Sequence, residues 1–279
     1  MLNHSFSRFL CLTAFIFVVL TGCSSTPDYN AMSEQQLFEE SQSALERENY
    51  TIAIEVLTQL EARFPFGRYT TQAKLDLLYA YYQAQEYESA GAAAKRFVRM
   101  YSDHEDVDYA WYIKALSGFT VDRGLLDRIM PSDYSERDMG LARESFRDFN
   151  TIVTRYPDSP YANDSRQRMI YLRNLLAKQQ LENAHFYLRR GAYVAAIRRA
   201  TRVIQAFPET PDQPRALEIM ARGYKALDLN DLEATTLAVL KHNYPDYEVL
   251  NKSGTLKPDP TLPLEERSLT NIVTFGLMD

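Results

Sequence analysis

The stretch YVAAIRRATRVIQAFP, residues 193–208, decides the fold. Its apolar positions are Tyr193, Ala196/Ile197, Ala200, Val203/Ile204 and Phe207, at offsets of 0, 3/4, 7, 10/11 and 14, and that spacing forms one face of an α-helix. The small residue at offset 3 or 4 leaves room for a neighbouring helix to approach closely. Pro208 follows at once, and a proline neither donates the next helical hydrogen bond nor fits over the preceding turn, so the helix is predicted to stop at Phe207. The pattern recurs four more times. Tyr50, Ala53/Ile54, Leu57, Leu60 and Phe64 lead to Pro65; Ala142, Phe146, Phe149, Ile152/Val153 and Tyr156 lead to Pro157. Ala234, Leu237, Leu240 and Tyr244 lead to Pro245, while Tyr87, Ala90, Ala94, Phe97/Val98 and Tyr101 lead to Ser102 without a proline.

Each of these helices has a partner upstream. Leu77, Ala80 and Tyr81 precede the second copy at the same distances at which Met220, Gly223 and Tyr224 precede the fifth. Paired helices at a nominal 34-residue period are the logic of tetratricopeptide repeats. One such pair cannot bury its apolar face alone, so pairs stack into a superhelix with a concave groove. The expected fold is therefore all-α: a tetratricopeptide-repeat solenoid over residues 34–245, with about five helix-turn-helix repeats and ten helices.

The spacing of the terminal aromatics locates two irregularities. From Phe64 to Tyr101 and from Phe207 to Tyr244 the interval is 37 residues; from Tyr101 to Tyr156 it is 55, and from Tyr156 to Phe207 it is 51. The first excess falls near residues 122–137, where Gly124, Pro131 and many charges predict an inserted loop. The second has no helix breaker between Tyr161 and Arg190, so one elongated helix near residues 161–190 is predicted, keeping its face while projecting beyond the stack. From Asp246 to Asp279 the periodicity ends amid Gly254, Pro258, Pro260 and Pro263, which predicts a mostly flexible tail in which Ile272 to Met278 is apolar enough to dock.

The N-terminus fixes the compartment. Arg8 precedes an apolar run from Phe9 to Leu20 in which only Thr13 is clearly polar. Twelve residues are too few to span a bilayer, which takes roughly 20 helical residues, but they match the apolar region of a secretory signal peptide. Leu20-Thr21-Gly22-Cys23 then resembles the lipobox of bacterial lipoproteins. Residues 1–22 are expected to be removed and residues 23–33 to form a lipidated tether. The resemblance implies S-diacylglycerol and N-acyl groups on Cys23 as the only non-protein component, with no other cofactor. Two or more acyl chains anchor stably where one does not. Ser24, not Asp, at the second mature position resembles lipoproteins bound for the outer membrane, facing the periplasm. Cys11 leaves with the signal peptide and Cys23 takes lipid, so packing alone must hold the mature chain together.

Charge is unevenly spread. Without Arg8 the chain has 30 basic and 37 acidic residues, which argues against nucleic acid as a partner. From Asp28 to Phe64 there are eight acidic and two basic residues; from Tyr161 to Phe207 there are nine basic and two acidic. The basic cluster is a candidate docking surface for an acidic domain. No catalytic constellation is visible. His104, His185 and His242 lack metal-ligand spacing, and neither a Gly-x-Ser-x-Gly elbow nor a Gly-rich phosphate loop occurs. No catalytic and no metal-binding residues are assigned, and most of the nineteen tyrosines read as packing.

Several strings resemble a known family. They are Arg63-Phe64-Pro65-Phe66-Gly67 with Tyr69, Leu75 to Tyr82, Asp108-Tyr109, Asp133 to Asp138, and Arg190-Gly191-Ala192-Tyr193-Val194-Ala195. Over about Glu34 to Pro245 the chain resembles the BamD family, tetratricopeptide lipoproteins of the outer-membrane β-barrel assembly machinery. Its departures are the long tail after Tyr244 and Arg198, where an uncharged polar residue is expected. The resemblance implies a non-catalytic adaptor. Its partners would be the periplasmic domains of BamA, further lipoproteins such as BamC, unfolded outer-membrane β-barrel proteins, and the outer membrane through the lipid. Phe64, Phe66, Gly67 and Tyr69 fall where the family is thought to receive the C-terminal strand of a substrate. Arg190, Arg198, Arg199 and Arg202 fall in the repeats expected to meet BamA. Competing readings are another tetratricopeptide lipoprotein adaptor, such as a secretin pilotin or a cell-division adaptor, and a periplasmic hydrolase, for which no residues speak.

Overall fold

Each of the five aromatic stops caps a helix. A computed structural model describes residues 28–122 and 139–262. In it Phe64, Tyr101, Tyr156, Phe207 and Tyr244 all leave the helix with φ between −127° and −136° and ψ between 49° and 61°. Each still donates its backbone N–H to the carbonyl four residues back, at 2.8–3.0 Å. A residue before proline is pushed out of helical geometry, yet Tyr101, followed by Ser102, exits in the same way. The half-buried ring therefore marks the exit, and the proline reinforces it.

The ten α-helices among the described residues are α1 (Glu34–Glu46), α2 (Tyr50–Arg63), α3 (Thr70–Gln83), α4 (Tyr87–Met100), α5 (Val107–Asp122), α6 (Gly140–Arg155), α7 (Ala162–Arg189), α8 (Tyr193–Ala206), α9 (Gln213–Ala226) and α10 (Asn230–Asn243). No strand occurs among them. Consecutive helices form the five pairs of a tetratricopeptide fold. Within a pair the connection is tight: Glu48, Gln85, Gly191 and Asp228, each two residues before the second helix, have φ of 55–74°. Only Gly191 suits that left-handed geometry without steric cost. Ser33 starts α1 with a capping box, its hydroxyl accepting from the Gln36 N–H while the Gln36 side chain accepts from the Ser33 N–H.

The chain divides into two compact units, one ending at Ala73 and one beginning at Lys74. In the first, α1 packs on α2, burying Leu37, Ala53, Val56, Leu57 and Leu60 completely. The second holds two apolar clusters. One gathers Leu78, Ala90, Ala94, Phe97, Ala110, Ile113, Phe149 and Ile152 with Leu172 and Leu176; the other gathers Ala177, Leu181, Ala184 and Leu188 with Ala196, Ala200, Val203 and Ile219.

Both clusters include α7, and this corrects one expectation. The uninterrupted helix is present, 28 residues long, but it does not project beyond the packed helices. Its first half lies on α6 and its second half on α8 and α9, so its extra turns separate two cores. Periodicity along the helix does not reveal that its two halves bury different sides against different partners.

The segment after Tyr244 also differs from the flexible tail expected. Over residues 246–262 it runs back along α9 and α7: Tyr247 reaches Glu218 at 2.6 Å and Leu262 joins the second cluster, 7% exposed. The order there comes from contacts with distant helices, which leave no helical pattern in the local sequence. The signal segment, Cys23, most of the inserted loop (residues 123–138) and Ile272 to Met278 lie outside the described residues.

Candidate functional site

The loop Phe64 to Tyr69, joining α2 to α3, is held from both ends. Thr70 Oγ1 donates to the Phe64 carbonyl and accepts from the Gly67 N–H at 3.1 Å. The Gly67 N–H also reaches the Phe64 carbonyl at 3.0 Å. From α1, Glu34 Oε1 accepts the Tyr69 N–H at 2.7 Å, a charge-assisted bond of the stronger kind. Phe38 stacks on Tyr69 with ring centroids 4.6 Å apart. Arg63 lies over the Phe64 ring at 5.0 Å and donates to the Tyr29 carbonyl at 2.6 Å. Gly67 is needed for closeness: a Cβ there would stand 2.1 Å from Glu34 Oε1.

This arrangement separates the four predicted residues into roles. Phe64 is a half-buried helix cap, Gly67 makes room for Glu34, and Tyr69 is stacked and anchored. Phe66 alone is presented to solvent, 99% exposed. The loop that carries this exposed phenylalanine is fixed by hydrogen bonds from Thr70 and Glu34. Sequence reading missed Glu34, which lies 35 residues from its partner Tyr69 and has no local signal.

Several basic residues between Tyr161 and Phe207 already have partners. Arg168 pairs with Asp164 at 2.5 Å, Arg173 with Glu209 at 3.5 Å, and Arg166 bonds Asn163 at 2.7 Å. Of the four residues singled out, Arg199 is half-buried, donating to Gln180 at 3.0 Å and lying 5.3 Å from the Tyr187 ring centroid. Arg198 and Arg202 are exposed one turn apart on α8, with Val194, 56% exposed, a turn earlier. Arg190 caps α7 and covers Phe186 at 5.3 Å. On α8 the exposed residues of this group are therefore Val194, Arg198 and Arg202.

A further polar group lines a cleft of about 340 Å³ between α4, α5 and α6. Lys114 Nζ lies 2.5 Å from Asp148 and 3.2 Å from Glu144, with its side chain 11% exposed. Burial pushes the Asp148 carboxyl up despite Lys114, while the Lys114 hydrogen bond pulls the more exposed Glu144 down. Nearby, Asp164 accepts from the Tyr112 hydroxyl at 2.7 Å and from Arg168. Burial and that bond raise the Tyr112 phenol to about 12. Burial would raise Asp164 as well, but the two donors outweigh it and hold its carboxyl low. These groups have structural partners. Among the described residues no group of three or more His, Cys, Asp or Glu could hold a metal ion, and no helix is long and apolar enough to cross a membrane.

A family model described as YfiO, outer membrane lipoprotein, matches residues 30–240. The chain is 38% identical over 226 residues to the outer membrane protein assembly factor BamD of Vibrio cholerae, covering 81% of this chain and 94% of that one. It is 36% identical over 243 residues to the BamD of Neisseria gonorrhoeae (85% and 91%) and 34% identical over 235 residues to that of Pasteurella multocida (84% and 89%). Among solved structures, the crystal structure of MamA protein covers 81% of this chain and 98% of its own at 16% identity and a TM-score of 0.29, too low to bear on the fold.

Proposed function

The chain belongs to the BamD family of outer membrane protein assembly factors, and from that premise we propose a non-catalytic adaptor, anchored in the outer membrane by lipid on Cys23, that binds unfolded β-barrel proteins through one surface and a BamA-type periplasmic domain through another. The observation that carries the substrate half is Phe66: a large apolar side chain almost wholly exposed on an immobilised loop. An extended strand ending in an aromatic residue is a fitting ligand, because aromatic pairs add about 0.5–1.5 kcal/mol beyond area burial and Arg68 lies alongside, over the Tyr69 ring at 5.7 Å. The basic face of α8 supplies the second surface, where charge mainly sets partner choice and association rate.

The test uses two variants of the lipidated chain expressed in cells. Phe66→Ala is expected to weaken photo-crosslinking to unfolded β-barrel substrate while BamA still co-purifies. Arg198→Glu with Arg202→Glu is expected to do the reverse. Both phenotypes remaining at wild-type level would overturn the assignment of the two surfaces. Recovery of secretin subunits in place of BamA would favour a pilotin instead.

A further inference from the structure

The segment after α10 behaves towards the last two repeats as a bound peptide would. It first turns back as a small hairpin. Leu250 bridges to Leu256, Lys257 N–H reaches the Val249 carbonyl at 2.9 Å, and Gly254 takes the turn with φ of 83°. From Lys257 onward the chain lies along α7 and α9. Arg222 of α9, only 5% exposed, donates from Nη2 to the Lys257 carbonyl at 2.8 Å. His185 of α7 stands 3.4 Å from both the Asp259 carboxylate and the Thr261 hydroxyl. Leu262 then enters the cluster that holds Leu181, Ala184, Leu188 and Ile219.

These contacts are those of peptide recognition: a buried arginine reads a backbone carbonyl, a histidine meets a carboxylate, and an apolar hole takes one aliphatic side chain. They are also sparse. Of residues 246–262 only Leu262 is buried, and the rest are half-buried or exposed. One anchor and a few hydrogen bonds make a weak ligand that persists because it is covalently attached. A short flexible connection supplies an effective concentration in the millimolar range.

We propose that the face formed by α7 and α9 is a binding site for extended peptides of the pattern Asp-x-x-Leu, with a backbone carbonyl two residues before the Asp docked on Arg222, and that residues 246–262 are its resident occupant. The site uses neither Phe66 nor the exposed residues of α8, so it goes beyond the adaptor reading.

The test titrates a fluorescein-labelled peptide of residues 246–262 by anisotropy against three proteins. These are the full mature chain, the chain ending at Pro245, and the full chain carrying Leu262→Asp. Saturable binding is expected to the shortened chain and to Leu262→Asp, at least tenfold weaker binding to the unaltered chain, and none by a peptide carrying Leu262→Asp. Equal affinity for all three proteins would place the peptide elsewhere and overturn the proposal, as would failure to bind either altered chain. Should the shortened chain not fold by circular dichroism, the Leu262→Asp chain decides the question alone. Altered Phe66 or Arg198 surfaces should leave this titration unchanged, so it fails or succeeds independently of the adaptor reading.

Discussion

Replacing Gly67 with alanine should cost stability in the native chain and gain it when Glu34 is absent. A Cβ on Gly67 would lie 2.1 Å from Glu34 Oε1 and 2.4 Å from Cδ. Neither atom belongs to the backbone, so the carboxylate swings away and the hindrance itself is cheap. What is lost is the 2.7 Å bond from Tyr69 N–H. Hydrogen bonds to charged groups contribute about 1.5–3 kcal/mol. Gly67 has no positive φ, so alanine returns about 0.4–1 kcal/mol by restricting the unfolded chain. The net expectation for Gly67→Ala is a loss of about 1–2 kcal/mol. Glu34→Ala removes the same bond, after which Gly67→Ala should be neutral or favourable. Native-state hydrogen exchange at the Tyr69 amide is the direct assay, because that N–H is the donor and its protection reports local opening. Additive effects of the two substitutions on its protection, with no change of sign for Gly67→Ala, would refute the reasoning.

Three further expectations concern the second unit. Gln85→Gly or Asp228→Gly, at φ of 62° and 57°, should each raise stability by about 0.5–1 kcal/mol in urea unfolding. Because the Tyr112 phenol is raised from 10.0 to about 12, its stabilising contribution is fully present below pH 10 and is lost as pH rises through about 12. Tyr112→Phe removes the 2.7 Å bond to Asp164 and should cost about 1–2 kcal/mol at pH 8, and it should flatten the fall in thermal midpoint between pH 9 and 12. Lys114→Met leaves Asp148 buried without its partner and should cost about 2–3 kcal/mol, the cleft admitting some water. As the Asp148 carboxyl already sits above its ordinary range, that cost should grow as pH rises through its folded pKa and shrink in acid; a pH-independent cost would contradict the assignment.

How far the sequence was legible depended on the range of each interaction. The five aromatic caps could be read because a helix end is a local event, and Tyr101 could be placed without its proline because the face leading to it was intact. α7 was legible as a helix but not as a shared element, since 3.6-residue periodicity says which side is buried and not against what. Among the basic residues, composition could not separate Arg199, turned towards Gln180 and Tyr187, from Arg198, turned outward one position earlier. Phe66 could be named as a candidate from its string, but its separation from Phe64 and Tyr69 depends on Glu34 and Thr70, of which the former is distant in the chain. The 246–262 segment was opaque for a related reason: its order comes from Arg222, His185 and the second cluster, not from any repeat of its own.

The length of α7 has a consequence in angle. Each helical residue adds about 1.5 Å and about 100° of rotation. The interval from Tyr156 to Phe207 exceeds the regular 37 residues by 14, and 14 residues complete about four turns, within roughly 40° of phase. Leu172 and Leu176 lie on one side of α7, and Leu181, Ala184 and Leu188 follow about 100–160° further round its axis, so the two clusters are served by different sides of one helix. Deleting or adding two residues between Leu176 and Leu181 would turn the second cluster by about 200° relative to the first. α7 is thus a gauge whose residue count sets the azimuth at which α8 and its arginines face outward, and a change in its length would re-aim that surface without altering any residue in it.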